Sequence, residues 1–207
     1  MDKRAYKDEV YSEVARMAKA ISSAARLEMI DFIANGEKSV DDIARQTGLS
    51  MANASQHLQK LKRERLVKAR KHRVQVLYTL ASPEVYQAWK SLRDVALQRS
   101  PQIKETMEQF RTDHAFPAPV TLEYLRGRSD IYLLDVRPRD EYRTRHIPAS
   151  ASIPLDELAA RWSDLPKDKL IVAYCRGMFC TMADEAVSLL RAKGYQAQKL
   201  DISVQEY

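Results

Sequence analysis

Apolar side chains in the first half of the chain recur at the spacing of a helix. Val10, Val14, Met17, Ala18 and Ile21 fall on one stripe and predict a first amphipathic helix. Leu27, Ile30 and Ile33 mark a second over 24–34, stopped by Asn35-Gly36. The Ser39 hydroxyl is placed to accept a free first-turn amide, so a short helix is predicted through Arg45. Gly48 then permits a left-handed turn, Ser50 caps again, and a longer helix is expected over about 51–65. Between Val67 and Leu80 the period drops to two (Val74, Val76, Tyr78, Leu80), which predicts a two-stranded hairpin with Lys71-His72 at its centre. Val85, Trp89, Leu92, Val95 and Ala96 share one face of a helix that begins at Ser82-Pro83, kinks at Ser100-Pro101 and runs towards Phe110.

Phe116-Pro117-Ala118-Pro119 is stiff and cannot continue a helix. It suggests a first domain over 1–112, a linker over 113–119 and a second domain over 120–207. In the second domain the pattern changes to short apolar runs alternating with helices. Ile131-Tyr132-Leu133-Leu134-Asp135-Val136 and Leu170-Ile171-Val172-Ala173-Tyr174 read as buried parallel strands, with a third over 197–200. Helices are expected over about 156–161 and 182–193, the latter closed by Gly194. The fold class is therefore multidomain: a mainly α first half followed by an α/β half built on a parallel sheet.

Charge separates the halves further. The 207 residues carry a formal net charge of +6. Residues 1–100 hold 19 Lys+Arg against 12 Asp+Glu, whereas the remainder holds 15 against 16. An affinity for polyanions therefore belongs to the first half. No apolar run approaches the roughly 20 residues of a membrane span, and Met-Asp-Lys-Arg-Ala-Tyr-Lys-Asp has no apolar signal-peptide core. These features predict a cytoplasmic protein with no membrane partner. Two cysteines, Cys175 and Cys180, are too few for a secreted disulfide framework and suggest chemistry in a reducing compartment.

Gly48-Leu49-Ser50-Met51-Ala52-Asn53-Ala54-Ser55-Gln56-His57-Leu58 reads as a helix-turn-helix, whose second helix meets base edges near its start. Met51, Asn53, Ser55, Gln56 and Gln59 are the candidate groove and phosphate contacts. Eight cations follow between Lys60 and Arg73, opposed only by Glu64. Lys60, Lys62, Arg63, Arg70, Lys71 and Arg73 are the candidate phosphate contacts among them.

These residues resemble the ArsR-type winged-helix repressors. Ala20-Ile21-Ser22-Ser23-Ala24-Ala25-Arg26-Leu27-Glu28-Met29-Ile30 is similar to their "aLadptRLeiL" stretch, and 49–67 to "LsqstvSqHLkvLreaGLV". The resemblance, over about 10–98, implies a winged helix-turn-helix homodimer joined through the first and last helices of the domain and bound to a palindromic operator. It places His57 in the Ser-x-His-Leu slot, as a packing or phosphate contact. Metal-sensing relatives carry Cys-Val-Cys where this chain has Ser39-Val40-Asp41, a set without the thiolates a soft metal prefers. No metal site and no cofactor are therefore expected, and the regulatory signal must enter elsewhere.

Tyr174-Cys175-Arg176-Gly177-Met178-Phe179-Cys180-Thr181 delivers a cysteine from a strand end into a tight loop before a helix. Loop amides, the helix dipole and Arg176 would favour anionic sulfur and lower the Cys175 pKa, while Gly177 lets the backbone close around it. This half resembles the rhodanese fold. Leu133-Leu134-Asp135-Val136-Arg137-Pro138-Arg139-Asp140-Glu141-Tyr142 is similar to "lLDVRpreEy", and His146-Ile147-Pro148-Ala149-Ser150-Ala151-Ser152-Ile153-Pro154 to "HIPGAinIP". The resemblance implies Cys175 as persulfide carrier, loaded from a sulfane-sulfur donor and unloaded to a small thiol, with Asp135 and Arg137 supporting the loop. Cys180 reads either as a resolving thiol or as a packed side chain. Related phosphatases need an arginine six positions after the cysteine, where this chain has Thr181. Arg145 and Ala149 stand where the family has glycine, and Leu200-Asp201-Ile202-Ser203-Val204-Gln205-Glu206-Tyr207 replaces "LeGGvxeW", which predicts slow turnover or altered donor access.

Together these features suggest a transcriptional repressor whose rhodanese domain senses or transfers sulfane sulfur through a Cys175 persulfide. A thiosulfate or persulfide sulfurtransferase with an accessory DNA-binding domain, and a regulator with a catalytically silent rhodanese module, are the alternatives.

Overall fold

A computed structural model describes residues 1–207 and divides them into two compact units, Met1–Ala96 and Leu97–Tyr207. In the first unit the predicted stripes fold as helices α1 (Lys3–Ile21), α2 (Ala24–Ile33), α3 (Val40–Thr47) and α4 (Met51–Arg63). Ser39 caps α3 in a reciprocal capping box with Asp42, and Gly48 closes it at φ +65°. Ser50 then caps α4 by accepting the Asn53 amide at 3.3 Å. The α3–turn–α4 angle is thus fixed by three local devices before any packing is added. Met29 and Ile30 of α2, Ile43 of α3 and Leu58 and Leu61 of α4 meet in the core at 1% exposure or less. Each such side chain contributes about 1.5–3 kcal/mol of transfer free energy.

The predicted hairpin forms as β2 (Val67–His72) and β3 (Gln75–Leu80), followed by α5 (Pro83–Arg99). Two details differ from the sequence reading. The turn lies at Arg73-Val74, two residues beyond the expected centre, since His72 pairs with Gln75. The sheet also has three strands, because β1 (Lys38–Ser39) pairs antiparallel to β3 through Lys38 with Tyr78 and Ser39 with Leu77. A two-residue strand is too short to carry a period, so nothing in the sequence marked it. Trp89 on α5 donates from Nε1 to Asp31 of α2 at 3.1 Å, tying the last helix of the unit to its core.

Ser100 leaves the helical region at φ −110°, so α5 ends and α6 (Pro101–Asp113) begins anew in the second unit. Four parallel strands follow, β4 (Ile131–Asp135), β5 (Ala151–Ser152), β6 (Leu170–Tyr174) and β7 (Ala197–Lys199), in the order β5-β4-β6-β7. Helices α7 (Arg139–Thr144), α8 (Leu155–Arg161) and α9 (Met182–Ala192) connect them. Strand β5 and helix α7, short and polar, were not apparent from periodicity. Alternation along β6 assigns Ile171, Ala173 and then Cys175 to one buried cluster, and Val172 and Tyr174 to the other. The period of two that makes the strand therefore also decides that Cys175 enters its loop from beneath α9.

The two positions where glycine was expected behave differently. Arg145 has an extended backbone at φ −164°, which any residue adopts, whereas Ala149 sits in the left-handed region at φ +63°. An L-residue costs about 1–2 kcal/mol there, partly offset by the greater unfolded-state freedom of glycine. Ala149→Gly should therefore raise unfolding free energy by about 0.5–1 kcal/mol, read as a higher denaturant midpoint at unchanged m-value; a lower midpoint would contradict the strain assigned to Ala149.

Candidate functional site

Two separate surfaces carry the predicted chemistry, one in each unit. On α4, Met51, Asn53, Gln56, Gln59, Lys60, Lys62 and Arg63 are exposed, and Ser55 and His57 half-buried. At the hairpin, Arg70, Lys71 and Arg73 are exposed. Three of these twelve residues have structural partners. Arg70 forms a salt bridge with Glu37. Gln59 donates from Nε2 to the Tyr78 hydroxyl at 3.3 Å. His57 accepts at Nδ1 from the Arg26 guanidinium at 3.1 Å, because a guanidinium only donates. Arg26 is itself buried, and its remaining nitrogens donate to the Ala20, Lys19 and Ser22 carbonyls at the end of α1. His57 therefore joins the recognition helix to the α1–α2 corner.

In the second unit, Cys175 lies at the end of β6 at 1% exposure, and Cys180 closes the loop half-exposed. Gly177 turns the loop at φ +133°, where a Cβ would stand 3.3 Å from the Cβ of Ser203. The C-terminal segment that lacks the expected glycines thus lies directly against the loop. Arg176 donates from Nη2 and Nε to Glu141 of α7 at 2.8 and 3.0 Å, and the Glu141 side chain is fully buried. The guanidinium is therefore committed to a carboxylate, which anchors the loop, while its charge still reaches the Cys180 sulfur. Asp135 and Arg137 form a second buried pair at 2.7 Å, with Arg137 also donating to the Arg145 carbonyl at 2.7 Å. A cavity of about 270 Å³ opens beside the loop, lined in part by Phe110, Arg111, Met178, Phe179 and Lys199.

The thiol electrostatics correct one expectation. Burial pushes the Cys175 thiol up, although the Lys199 charge and the Ala183 amide pull the other way. A hydrogen bond from the Cys175 thiol, with the Arg176 amide, the Arg176 charge and the Met182 amide, outweighs burial and holds Cys180 down at about 6. The first proton lost by the pair therefore leaves its charge on Cys180, and the loop amides lower that thiol instead of Cys175. The single Cys175 proton is shared with the Cys180 carbonyl, whose oxygen accepts at 3.4 Å from Sγ.

Three further residues escaped the sequence reading. Glu141 lay inside the quoted motif but had no visible partner. Lys199 and Asp184 form a buried pair at 2.7 Å, from β7 to the first turn of α9. The available signal for Lys199 was a charge between Ala197 and Leu200, within a run that must be buried.

Comparison with known proteins joins these surfaces. The family described as "Bacterial regulatory protein, arsR family" matches residues 23–69, and the "Rhodanese-like domain" family matches 119–207. HTH-type transcriptional regulator Rv0324 of Mycobacterium tuberculosis is 36% identical over 197 residues, covering 94% of this chain and 87% of that protein. The chain belongs to the arsR-family regulators that carry a C-terminal rhodanese-like domain. It is a DNA-binding transcriptional regulator. Single halves match other proteins. Transcriptional activator HlyU of Vibrio cholerae is 38% identical over 69 residues, 33% of this chain and 64% of its own length. A "Sulfurtransferase" of Allochromatium vinosum is 31% identical over 71 residues, 34% of this chain and 64% of its own length. No helix of this arsR-family regulator is long and apolar enough to cross a membrane.

The unequal thiols have a direct consequence. Alkylation by iodoacetamide, resolved by peptide mass spectrometry, should modify Cys180 with a midpoint near pH 6. Its thiolate is present above that pH and lost below it, while Cys175 should react only at markedly higher pH. Faster modification of Cys175 than of Cys180 at neutral pH would overturn this assignment.

Proposed function

We propose that this arsR-family regulator is a homodimeric, cytoplasmic repressor whose affinity for a palindromic operator responds to sulfane sulfur held on the Cys175 loop. The observation that carries the reading is the pairing of two free cysteines, one buried and one half-exposed, in a single anchored loop. In this reading the pair takes the outer sulfur of a donor such as thiosulfate and releases sulfite, leaving a persulfide on Cys175. Cys180 then resolves it by attacking the inner sulfur, giving a Cys175–Cys180 disulfide and hydrosulfide. The cavity beside the loop suits a small donor or thiol. The close approach of Ser203 to Gly177 favours slow turnover and hence sensing over bulk sulfur transfer.

Exposed Met51, Asn53, Gln56 and Lys60 on α4, with Lys62, Arg63, Lys71 and Arg73, suit a recognition helix and wing that meet bases and phosphates. A dimer seated on an operator excludes polymerase wherever the two sites overlap, which is the basis for reading a repressor. Dimerisation is supported by α1, a helix of 19 residues that buries only Ala20. Tyr6, Val10, Val14 and Met17 are 55%, 43%, 59% and 44% exposed at helical spacing, and Leu92 and Val95 on α5 are 45% and 56% exposed. Apolar stripes of this kind mark protein–protein surfaces.

Operator affinity, compared for reduced and persulfide-treated protein at one salt concentration, should differ by about tenfold or more, within the usual range of coupling energies. Cys175→Ser should abolish the difference while leaving operator binding intact. An unchanged affinity on sulfur treatment, or a response that survives Cys175→Ser, would overturn the mechanism.

Sedimentation should find a dimer at micromolar concentration, and Val14→Glu, which puts a charge into the α1 stripe, should shift it to monomer and weaken operator binding. Monomeric wild-type protein bound tightly to the operator would contradict the homodimer.

A further inference from the structure

The cluster beneath the active loop contains one cation that the sulfur chemistry above does not use. Lys199 is 5% exposed and extends from the end of β7, and its Nζ donates to two oxygens. One belongs to Asp184 of α9, at 2.7 Å. The other is the Cys180 carbonyl, at 3.0 Å. The same carbonyl accepts the Cys175 thiol at 3.4 Å. Two donors, a thiol and an ammonium, therefore share one acceptor at the closing residue of the loop.

This sharing matters when Cys175 loses its proton. A thiolate cannot donate, so the sulfur would face a carbonyl lone pair across the same short distance, and the contact would turn repulsive. An ammonium already bound to that oxygen draws its electron density away and places a positive charge beside the sulfur. Because Cys175 is 1% exposed, that attraction is weakly screened. The other charged groups around the sulfur do less. Arg176 is paired with Glu141, and its charge falls mainly on Cys180. Asp184 and Asp201 are acidic and act on the cation, not in favour of a sulfur anion. Cys180 competes for the negative charge.

We propose that Lys199, held by Asp184, is the positioning cation of the active loop: it fixes the Cys180 carbonyl and supplies the counter-charge for anionic sulfur on Cys175. The proposal rests on the reading that Cys175 works as a thiolate or persulfide. It gives a use to a lysine buried in a sheet, a position where charge is otherwise disfavoured. The shifts agree in direction. Burial works against the Lys199 charge, but the Cys175 sulfur and the Asp184 carboxylate more than offset it and hold Lys199 above its ordinary range.

The test uses the full-length protein with Cys180→Ser, so that Cys175 is the one thiol left to react. Its rate of modification by iodoacetamide is followed against pH; the midpoint reports ionisation whatever the access to the buried sulfur. Lys199→Met should move the midpoint up by about one unit, equivalent to a roughly tenfold slower reaction at a fixed lower pH. Lys199→Arg should restore most of the shift. Since Lys199→Met leaves Asp184 buried and unpaired, Lys199→Met combined with Asp184→Asn serves as the partner variant and should show a smaller shift of the same upward sign in a folded protein. An unmoved midpoint in that double variant, or no recovery with arginine, would overturn the proposal. The assay needs neither sulfur donor nor operator, so a protein without any DNA response to sulfur would defeat the regulatory reading and leave the role of Lys199 standing.

Discussion

Charge buried in a sheet must be paired, and the α/β unit is arranged around three such pairs. Glu141 with Arg176 and Asp184 with Lys199 each join one element to another, while Asp135 holds Arg137 locally so that it reaches the Arg145 carbonyl; one partner of each pair is at 5% exposure or less. Breaking a pair of this kind by removing one partner costs about 3–5 kcal/mol, because the remaining charge stays desolvated. The three pairs therefore specify geometry more than they add stability. The first fixes the turn after β4, the second fastens the active loop to α7, and the third places an ammonium under the loop's closing carbonyl.

The two cysteines differ because of this frame and the strand that precedes it. Strand alternation buries Cys175 in the α8–α9 cluster, whereas Cys180 lies past the turn, half-exposed and surrounded by donors. A thiol that keeps its proton beside one that loses it readily is an arrangement suited to stepwise chemistry. The charge starts at the accessible sulfur, and the buried one becomes reactive only through its surroundings.

The first unit follows a different logic, in which local capping sets the geometry and a buried guanidinium secures it. Ser39, Gly48 and Ser50 fix the α3–α4 turn from the sequence outward. Arg26 then ties the end of α1 to His57 on α4. Since α1 carries the exposed apolar stripe, this contact links the surface assigned to dimerisation with the helix assigned to DNA. His57 thus takes part in the internal frame, the packing role being one of the two its motif position offered.

Much of this protein was legible in the residues themselves. Helical and strand periods, serine caps and Gly48 placed seven helices or strands of the first unit's eight, since those signals are local and survive without tertiary context. The charge asymmetry separated a polyanion-binding half from a neutral one, and the ordered motifs around Asp135, His146 and Cys175 marked the rhodanese-like half. Tertiary structure decided what depends on distant partners. It added β1, which exists only because β3 lies beside it, and relieved Arg145 of any need for glycine while leaving Ala149 in the left-handed region. It committed the Arg176 guanidinium to Glu141, moved the lower thiol pKa from Cys175 to Cys180, and brought Lys199 beneath the loop. The physical reason is common to all of these. Periodicity and capping are read within a turn or two of chain, whereas desolvation and ion pairing depend on which distant residues share the same enclosed space.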